Sequence, residues 1–176
     1  KIPTVSHERN EIGFYRRKFT LPESFDGRRV ILHFGAAKSA LYVYVNGRYV
    51  GYSQGSMTPA EFDITDELHE GENLIAAKVM RFSDATYLEN QDMWQFSGIY
   101  REVCLVAEPQ TTVEDIYART TLDDSYTDGI LDLTLKFSTD KTVTCKVSLD
   151  KKEIFKDKAS GELNITHTVK NCRRWS

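Results

Sequence analysis

The sequence predicts an all-β protein. Apolar residues recur at every second position in several parts of the chain, as they do in strands that bury one face. Short turns containing glycine or asparagine separate many of these runs. Helical periodicity is nearly absent, so helices are not expected between the strands. The predicted architecture is therefore a sandwich or a barrel.

The first predicted strands are a single strand and, after it, a hairpin. Residues 28–34 alternate, with Val30, Leu32 and Phe34 on one face. Residues 40–45 and 48–53 follow as a pair joined by Asn46-Gly47. Both turn residues tolerate the positive φ that a type I′ turn requires, which makes this a strong hairpin prediction.

Further along the chain, residues 73–82 and 99–106 are predicted to be strands. Residues 62–68 fit the end of a strand that runs into a short capped turn. Cys104 and Cys145 lie inside apolar strand patterns, so both are predicted to be small buried hydrophobic residues. With Cys172 they make three widely spaced cysteines, which fit neither a disulfide framework nor a metal knuckle.

A domain boundary is predicted at Glu108-Pro109-Gln110, giving domains 1–108 and 109–176. Beyond it the alternation resumes without the glycine-rich turns of the first part. Two apolar rows stand out: Leu131, Leu133, Leu135 and Phe137, then Val143, Cys145, Val147 and Leu149. We expect four or five strands here, fewer than the roughly seven of a minimal immunoglobulin-type sandwich. The second domain is therefore expected to be truncated.

The composition of the 176 residues excludes several classes of partner. Hydrophobic residues make up 40% and charged residues 28%, which is ordinary for a folded domain. A net charge of −3 without Lys/Arg clusters argues against nucleic-acid binding. No stretch approaches the roughly 18 apolar residues of a membrane helix. We therefore expect neither nucleic acid nor a membrane as a partner.

The segment 83–98 does not have the composition of a simple connection. It combines three carboxylates and several amides with Tyr87, Trp94 and Phe96. Sugars present apolar C–H faces together with hydroxyls, so their sites pair aromatic faces with polar acceptors. The alternative is purely structural: Asp84 and Glu89 cap turns while Trp94 packs under the segment. Composition alone leaves both interpretations open.

Several segments resemble the N-terminal domain of family 2 glycoside hydrolases. They are residues 10–17, 43–53, 59–65 and 97–103. Ser83-Asp84 and the run from Tyr87 to Trp94, which contains Gln-Asp-Met-Trp, resemble the β-galactosidase branch. The resemblance covers residues from about 8 to 108 strongly and the remainder more weakly.

The resemblance implies a galactose-binding-type jelly-roll β-sandwich followed by a partial immunoglobulin-like β-sandwich. The first domain is expected to lack its N-terminal part. In the family, both catalytic glutamates and the divalent-metal ligands lie on a following (β/α)8 barrel, which has no counterpart here. We therefore expect no catalytic residue in this fragment, and no hydrolysis by it alone. The parent would be a retaining β-galactosidase acting on terminal β-D-galactosides.

The resemblance also implies roles for individual residues. Asp92 is expected to bind the galactosyl group and to be one ligand of a sodium site that this fragment leaves incomplete. Asp84, Tyr87, Glu89 and Trp94 are expected to support the loop. Sodium and magnesium are implied for the parent enzyme. The implied partners are a galactoside substrate, the barrel of the same chain and, for the parent, further copies in a homo-oligomer.

Two other functions stay open at this point. The chain could be a free-standing non-catalytic carbohydrate-binding module, which the sandwich and the aromatic, acidic loop would suit. It could also be a pair of scaffold domains whose loop is only structural. Sequence downstream of residue 176 distinguishes these alternatives from the enzyme.

Overall fold

The computed structural model describes residues 4–5, 8–92 and 94–173. The chain divides into two compact units, unit 1 (residues 1–109) and unit 2 (residues 110–176). Strands dominate both units, which confirms the all-β prediction. Within the described ranges, no helix is both long and apolar enough to cross a lipid bilayer.

Unit 1 is a sandwich of two antiparallel sheets. The four-stranded sheet has the order β1 (Ile12–Phe19), β7 (Asn73–Met80), β4 (Ala40–Val45) and β5 (Arg48–Ser53). The three-stranded sheet has the order β6 (Ala60–Asp63), β2 (Arg29–Phe34) and β9 (Val103–Glu108). Two short strands, β3 (Ala37–Lys38) and β8 (Gly98–Ile99), form a separate antiparallel pair.

The hydrophobic core of unit 1 lies between these sheets. Strand β2 contributes the alternating residues Val30, Leu32 and Phe34, and β4 contributes the row that begins at Leu41. All are buried, as the period-two pattern predicts. Full burial of such a side chain stabilises the fold by about 1.5–3 kcal/mol relative to exposure. Burial of this face fixes the register of both strands.

The Asn46-Gly47 turn forms as predicted between β4 and β5. The φ angles are 50° at Asn46 and 84° at Gly47, in the left-handed region that this turn needs. The Asn46 side chain also ties the turn to the start of β7. Its Oδ1 accepts from the Leu74 amide at 2.9 Å, and its Nδ2 donates to Asn73 Oδ1 at 2.8 Å.

Three predictions in unit 1 are corrected by the structure. Strand β7 ends at Met80, two residues before the predicted end. The predicted strand 99–106 is two strands, because the chain pairs first with β3 and then moves to β2. Cys104 is exposed and not buried. It pairs with His33 on β2, on the opposite face from Leu105, which packs against the core.

Unit 2 contains two further antiparallel sheets. One has the order β10 (Val113–Leu122), β11 (Gly129–Phe137) and β14 (Glu162–Val169), and the other pairs β12 (Val143–Leu149) with β13 (Lys152–Ala159). Its buried core includes Leu133, Leu135 and Cys145, so the burial predicted for Cys145 is confirmed. The apolar pattern did not reveal β10, because all of its residues are exposed.

The connection between β10 and β11 is organised by one carboxylate. Asp123 Oδ1 accepts from the amides of Thr127 at 2.7 Å and Asp128 at 2.8 Å. Its other oxygen accepts from the Ser125 hydroxyl at 2.5 Å. The Ser125 hydroxyl first, and then these amides, lower the pKa of Asp123 from 3.8 to about 2.

We expect unit 2 to lose stability as the pH falls from about 4 to about 2. The pKa of Asp123 is lower in the folded state, so folding favours its charged form. The resulting contribution to the free energy of unfolding is complete above the ordinary pKa of 3.8. It is lost as the pH falls through about 2. Asp123→Asn should flatten this part of the profile relative to Asp124→Asn. The measurement is the urea midpoint between pH 5 and 2. Equal pH profiles for the two variants would contradict the assignment.

Candidate functional site

The segment after β7 begins with one helical turn, α1 (Ala85–Leu88), where the sequence suggested an irregular loop. Asp84 caps it, accepting from the Ala85 amide at 3.0 Å. The same Asp84 oxygen accepts from the Gln54 side chain, just beyond β5. Burial raises the pKa of Tyr52, and the nearby Asp84 carboxylate and the ionised form of Tyr42 raise this pKa further. Asp84 therefore fixes the start of the segment beside β5.

The middle of the segment is anchored to the connection between β5 and β6. Glu89 Oε1 accepts from the amide of the buried Ser56 at 3.3 Å. The Tyr100 hydroxyl donates to the carbonyl of the same residue. Glu89 Oε2 is buried and has no hydrogen-bond partner among the described residues. Ser56 is thus held by Glu89 in the middle of the segment and by Tyr100, two residues beyond its end.

The part that carries Asp92 is closed by a bridge between side chains. Gln95 Nε2 donates to Asn90 Oδ1 at 2.9 Å. Gln95 Oε1 accepts from the Lys38 ammonium on β3 at 3.3 Å. Asp92 lies between the bridged residues and is exposed, and its carboxylate has no hydrogen bond or ion pair with the residues that the structure describes. Met93 of the Gln-Asp-Met-Trp motif lies outside the described residues.

The aromatic side chains of the segment face solvent. Trp94 is 78% exposed, so the interpretation in which it packs under the loop is wrong. Its ring stacks on Phe96 with centroids 6.5 Å apart, and Phe96 stacks on Tyr100 at 5.3 Å. Tyr87 is also exposed. An accessible carboxylate and accessible ring faces therefore occur on the same segment, as recognition of a sugar requires.

The described residues contain no group of three or more His, Cys, Asp and Glu side chains placed to hold a metal ion. Asp92 fits a hard cation such as sodium as a single oxygen ligand, because its exposed carboxylate is not engaged by described side chains. A complete cage requires oxygen ligands from elsewhere. The predicted sodium site is thus still a prediction.

The structure brings together residues that the sequence pattern did not single out. Lys38, Gln54, Ser56 and Gln95 anchor the segment, and three of them come from other elements. One sequence feature could have indicated Lys38: a lysine in the run of small residues 35–40, within an otherwise buried stretch. Tyr87 and Trp94 are both exposed, and neither ring is buried against another element. The support roles predicted for them stay predictions.

Comparison with known families decides the relationship. The model for "Glycosyl hydrolases family 2, sugar binding domain" matches residues 1–109, well over half of the chain. The chain belongs to glycoside hydrolase family 2. The resemblance inferred from the sequence segments is confirmed.

Among curated relatives, this family 2 chain is 38% identical to a β-galactosidase of Clostridium acetobutylicum over 99% of its length. It is 47% identical to a β-galactosidase of Priestia megaterium over 73% of its length. The aligned parts cover 20% and 12% of those proteins. The chain therefore spans about a fifth or less of the length of these relatives.

Solved structures of β-glucuronidases share the fold of this family 2 chain. One from an uncultured Clostridium species has a TM-score of 0.67 and 26% identity, covering 99% of this chain and 32% of that one. One from Bacteroides uniformis has a TM-score of 0.71 and 24% identity, covering 94% and 22%. At such identity the likeness concerns architecture and does not distinguish substrates.

Proposed function

We propose that this chain is part of a retaining β-galactosidase and forms one side of its galactosyl subsite. The observation that carries the proposal is the exposed Asp92 carboxylate, unpaired among the described residues, on a segment anchored at Asp84, Glu89 and Gln95. Relatives that carry the name β-galactosidase, 38% and 47% identical, support the choice of substrate. The retaining mechanism and the galactoside are parts of this proposal.

The proposed role of the chain is to position the sugar. A free carboxylate accepts hydrogen bonds from sugar hydroxyls, and exposed rings such as Trp94 can pack against C–H faces. A retaining glycosidase also needs two carboxyl groups about 5–5.5 Å apart across the scissile bond. Asp84 and Glu89 are already engaged in anchoring. We therefore assign the acid/base and the nucleophile to the family's barrel, and expect no hydrolysis by these 176 residues alone.

The same proposal covers ions and partners. Asp92 would contribute one oxygen ligand to sodium, whose positive charge would add to the binding of a sugar hydroxyl. Magnesium would be held by the barrel. The partners are a galactoside, the barrel of the same protein and, in a homo-oligomer, further copies.

The proposal is tested with the full-length protein and paired substrates. We expect kcat/KM for a nitrophenyl β-galactoside to be at least about 100-fold above that for the matching β-glucuronide. The glucuronide carries a carboxylate, and a site without a positive partner for that charge rejects it strongly. Proton NMR of the first product should show the β-anomer, which is the retained configuration. Preference for the glucuronide, or an inverted product, would contradict the assignment.

A free-standing carbohydrate-binding module is the second candidate, and the stacked rings of Trp94, Phe96 and Tyr100 favour it. Titration of the 176-residue chain with galactose or lactose separates the two functions. Saturable binding by this chain, together with a full-length protein that hydrolyses no glycoside, would support the module. Hydrolysis of galactosides by the full-length protein would support the enzyme.

A further inference from the structure

Lys38 is a buried lysine whose presence the stability of the fold does not explain. Only 2% of its surface is exposed. Its ammonium has one hydrogen bond, to Gln95 Oε1 at 3.3 Å, and no ion pair with a carboxylate of the described residues. Removing an ammonium from water costs several kcal/mol unless it is well paired. A methionine would fill a similar volume without this cost, so packing alone does not account for a charged residue at this position.

The charge determines the orientation of the Gln95 amide. An ammonium group can only donate, so the acceptor end of the amide, Oε1, must point toward Lys38. The Nε2 end then points toward Asn90, to whose Oδ1 it donates at 2.9 Å. Asn90 and Gln95 are both exposed, where water competes and a bond between neutral amides is worth little. The charge-assisted bond from Lys38 gives this bridge a fixed geometry.

The bridge encloses the part of the segment that carries Asp92. Asn90 precedes Asp92 by two residues, and Gln95 follows it by three. Asn90 and Gln95 are thus joined to each other, and Gln95 is also held to β3, so two described residues that flank Asp92 in the sequence are restrained. Loss of the charge would leave Asp92 chemically intact on a segment free to adopt other conformations.

We infer that Lys38 is a positioning residue for the sugar site, acting on Asp92 through Gln95 and Asn90. The inference rests on the proposed function, in which Asp92 binds the galactosyl group. We do not expect Lys38 itself to touch the sugar, because only 2% of its surface is exposed. Lys38 lowers the stability of the fold and at the same time pre-organises the Asp92 carboxylate. Such a combination is expected where function requires a locally unfavourable residue.

The decisive variant is Lys38→Met in the full-length protein. We expect KM for a nitrophenyl β-galactoside to rise roughly tenfold, as a misplaced binding group does. We expect kcat to change by less than about threefold. The variant should weaken the binding of the substrate and of the transition state by similar amounts, which leaves the barrier between them nearly unchanged. The melting temperature should stay the same or rise, since a desolvated charge is removed. If the bond from Lys38 to Gln95 served only to stabilise the fold, the variant would melt at a lower temperature and KM would be unchanged.

Two further variants complete the test. Gln95→Met cuts the bridge at an exposed position, so folding is not at risk, and it should raise KM like Lys38→Met. The double variant should show little additional effect, because both changes break one path. Lys18→Met is the matched control, since Lys18 lies on β1 of the same unit and pairs with Glu72 at the surface. It should leave KM unchanged.

The outcomes separate this inference from the proposed function. Unchanged KM in Gln95→Met, with a raised KM in Asp92→Asn, would overturn the positioning role and leave the proposed function standing. Fully additive effects of Lys38→Met and Gln95→Met would also overturn it. Unchanged KM in Asp92→Asn would overturn both. If Lys38→Met does not fold, Gln95→Met decides the matter alone.

Discussion

Replacing Asp92 by asparagine in the full-length protein is expected to raise KM for a β-galactoside about 10- to 100-fold. A hydrogen bond to a charged group contributes about 1.5–3 kcal/mol, and each 1.4 kcal/mol is a factor of ten. Asparagine keeps the shape of the side chain and one acceptor oxygen, so the loss isolates the charge. The fold should be unaffected, because Asp92 is exposed and surface changes of this kind stay within about 0.5 kcal/mol.

The measurement is steady-state hydrolysis across a range of sodium concentrations. The wild type should respond to sodium, and Asp92→Asn should respond much less, since one oxygen ligand loses its charge. Asp66→Asn provides the control, because Asp66 is also exposed in unit 1 but lies in the turn after β6. The same KM and the same sodium response in both variants would rule out Asp92 as a site residue.

The largest expected effect on stability comes from Asn73→Ala, at about 3–5 kcal/mol in unit 1. Asn73 is only 1% exposed. Its Oδ1 accepts from Asn46 Nδ2 at 2.8 Å and from the His69 amide at 3.1 Å. Its Nδ2 donates to the carbonyls of His69 at 2.9 Å and Gly71 at 3.2 Å. Alanine leaves these groups without their partner beneath the Asn46-Gly47 turn, and each buried unpaired group costs about 1–3 kcal/mol.

Urea unfolding measures this loss, and amide hydrogen exchange in β4 and β7 assigns it to unit 1. Asn164→Ala is the control, since Asn164 is exposed on β14 and bonds to Thr134 and Glu162 at the surface. It should change the free energy of unfolding by less than about 1 kcal/mol. Similar losses in the two variants would show that burial of the Asn73 network is not what stabilises the turn.

The parts of the fold that could be predicted are those set by local pattern. Burial of one face produces the alternation in β2 and β4, and the Asn46-Gly47 turn needs only its own two positive φ angles. The candidate segment was also predictable as a region, because its composition differs from that of ordinary connections. Its Asp92 was assigned by family resemblance and not by pattern.

The parts that could not be predicted depend on which strand is the neighbour. The apolar run at 99–106 looks continuous, but it changes partner from β3 to β2 and breaks between them. Cys104 lies in that run, yet its face is outward because it pairs with His33. Strand β10 is exposed throughout and is held by backbone pairing to β11, so it carries no hydrophobic pattern.

The sequence by itself determined the all-β class, the Asn46-Gly47 hairpin, the family and the segment 83–98, because each depends on residues close together in the chain. Only the tertiary structure decided how that segment is held. Lys38 and Gln95 are 57 residues apart, and Ser56 and Glu89 are 33 apart. Their hydrogen bonds exist because β3 and the connection after β5 lie beside the segment in the folded sandwich. The direction of a side chain across such distances depends on sheet pairing, which local pattern does not encode.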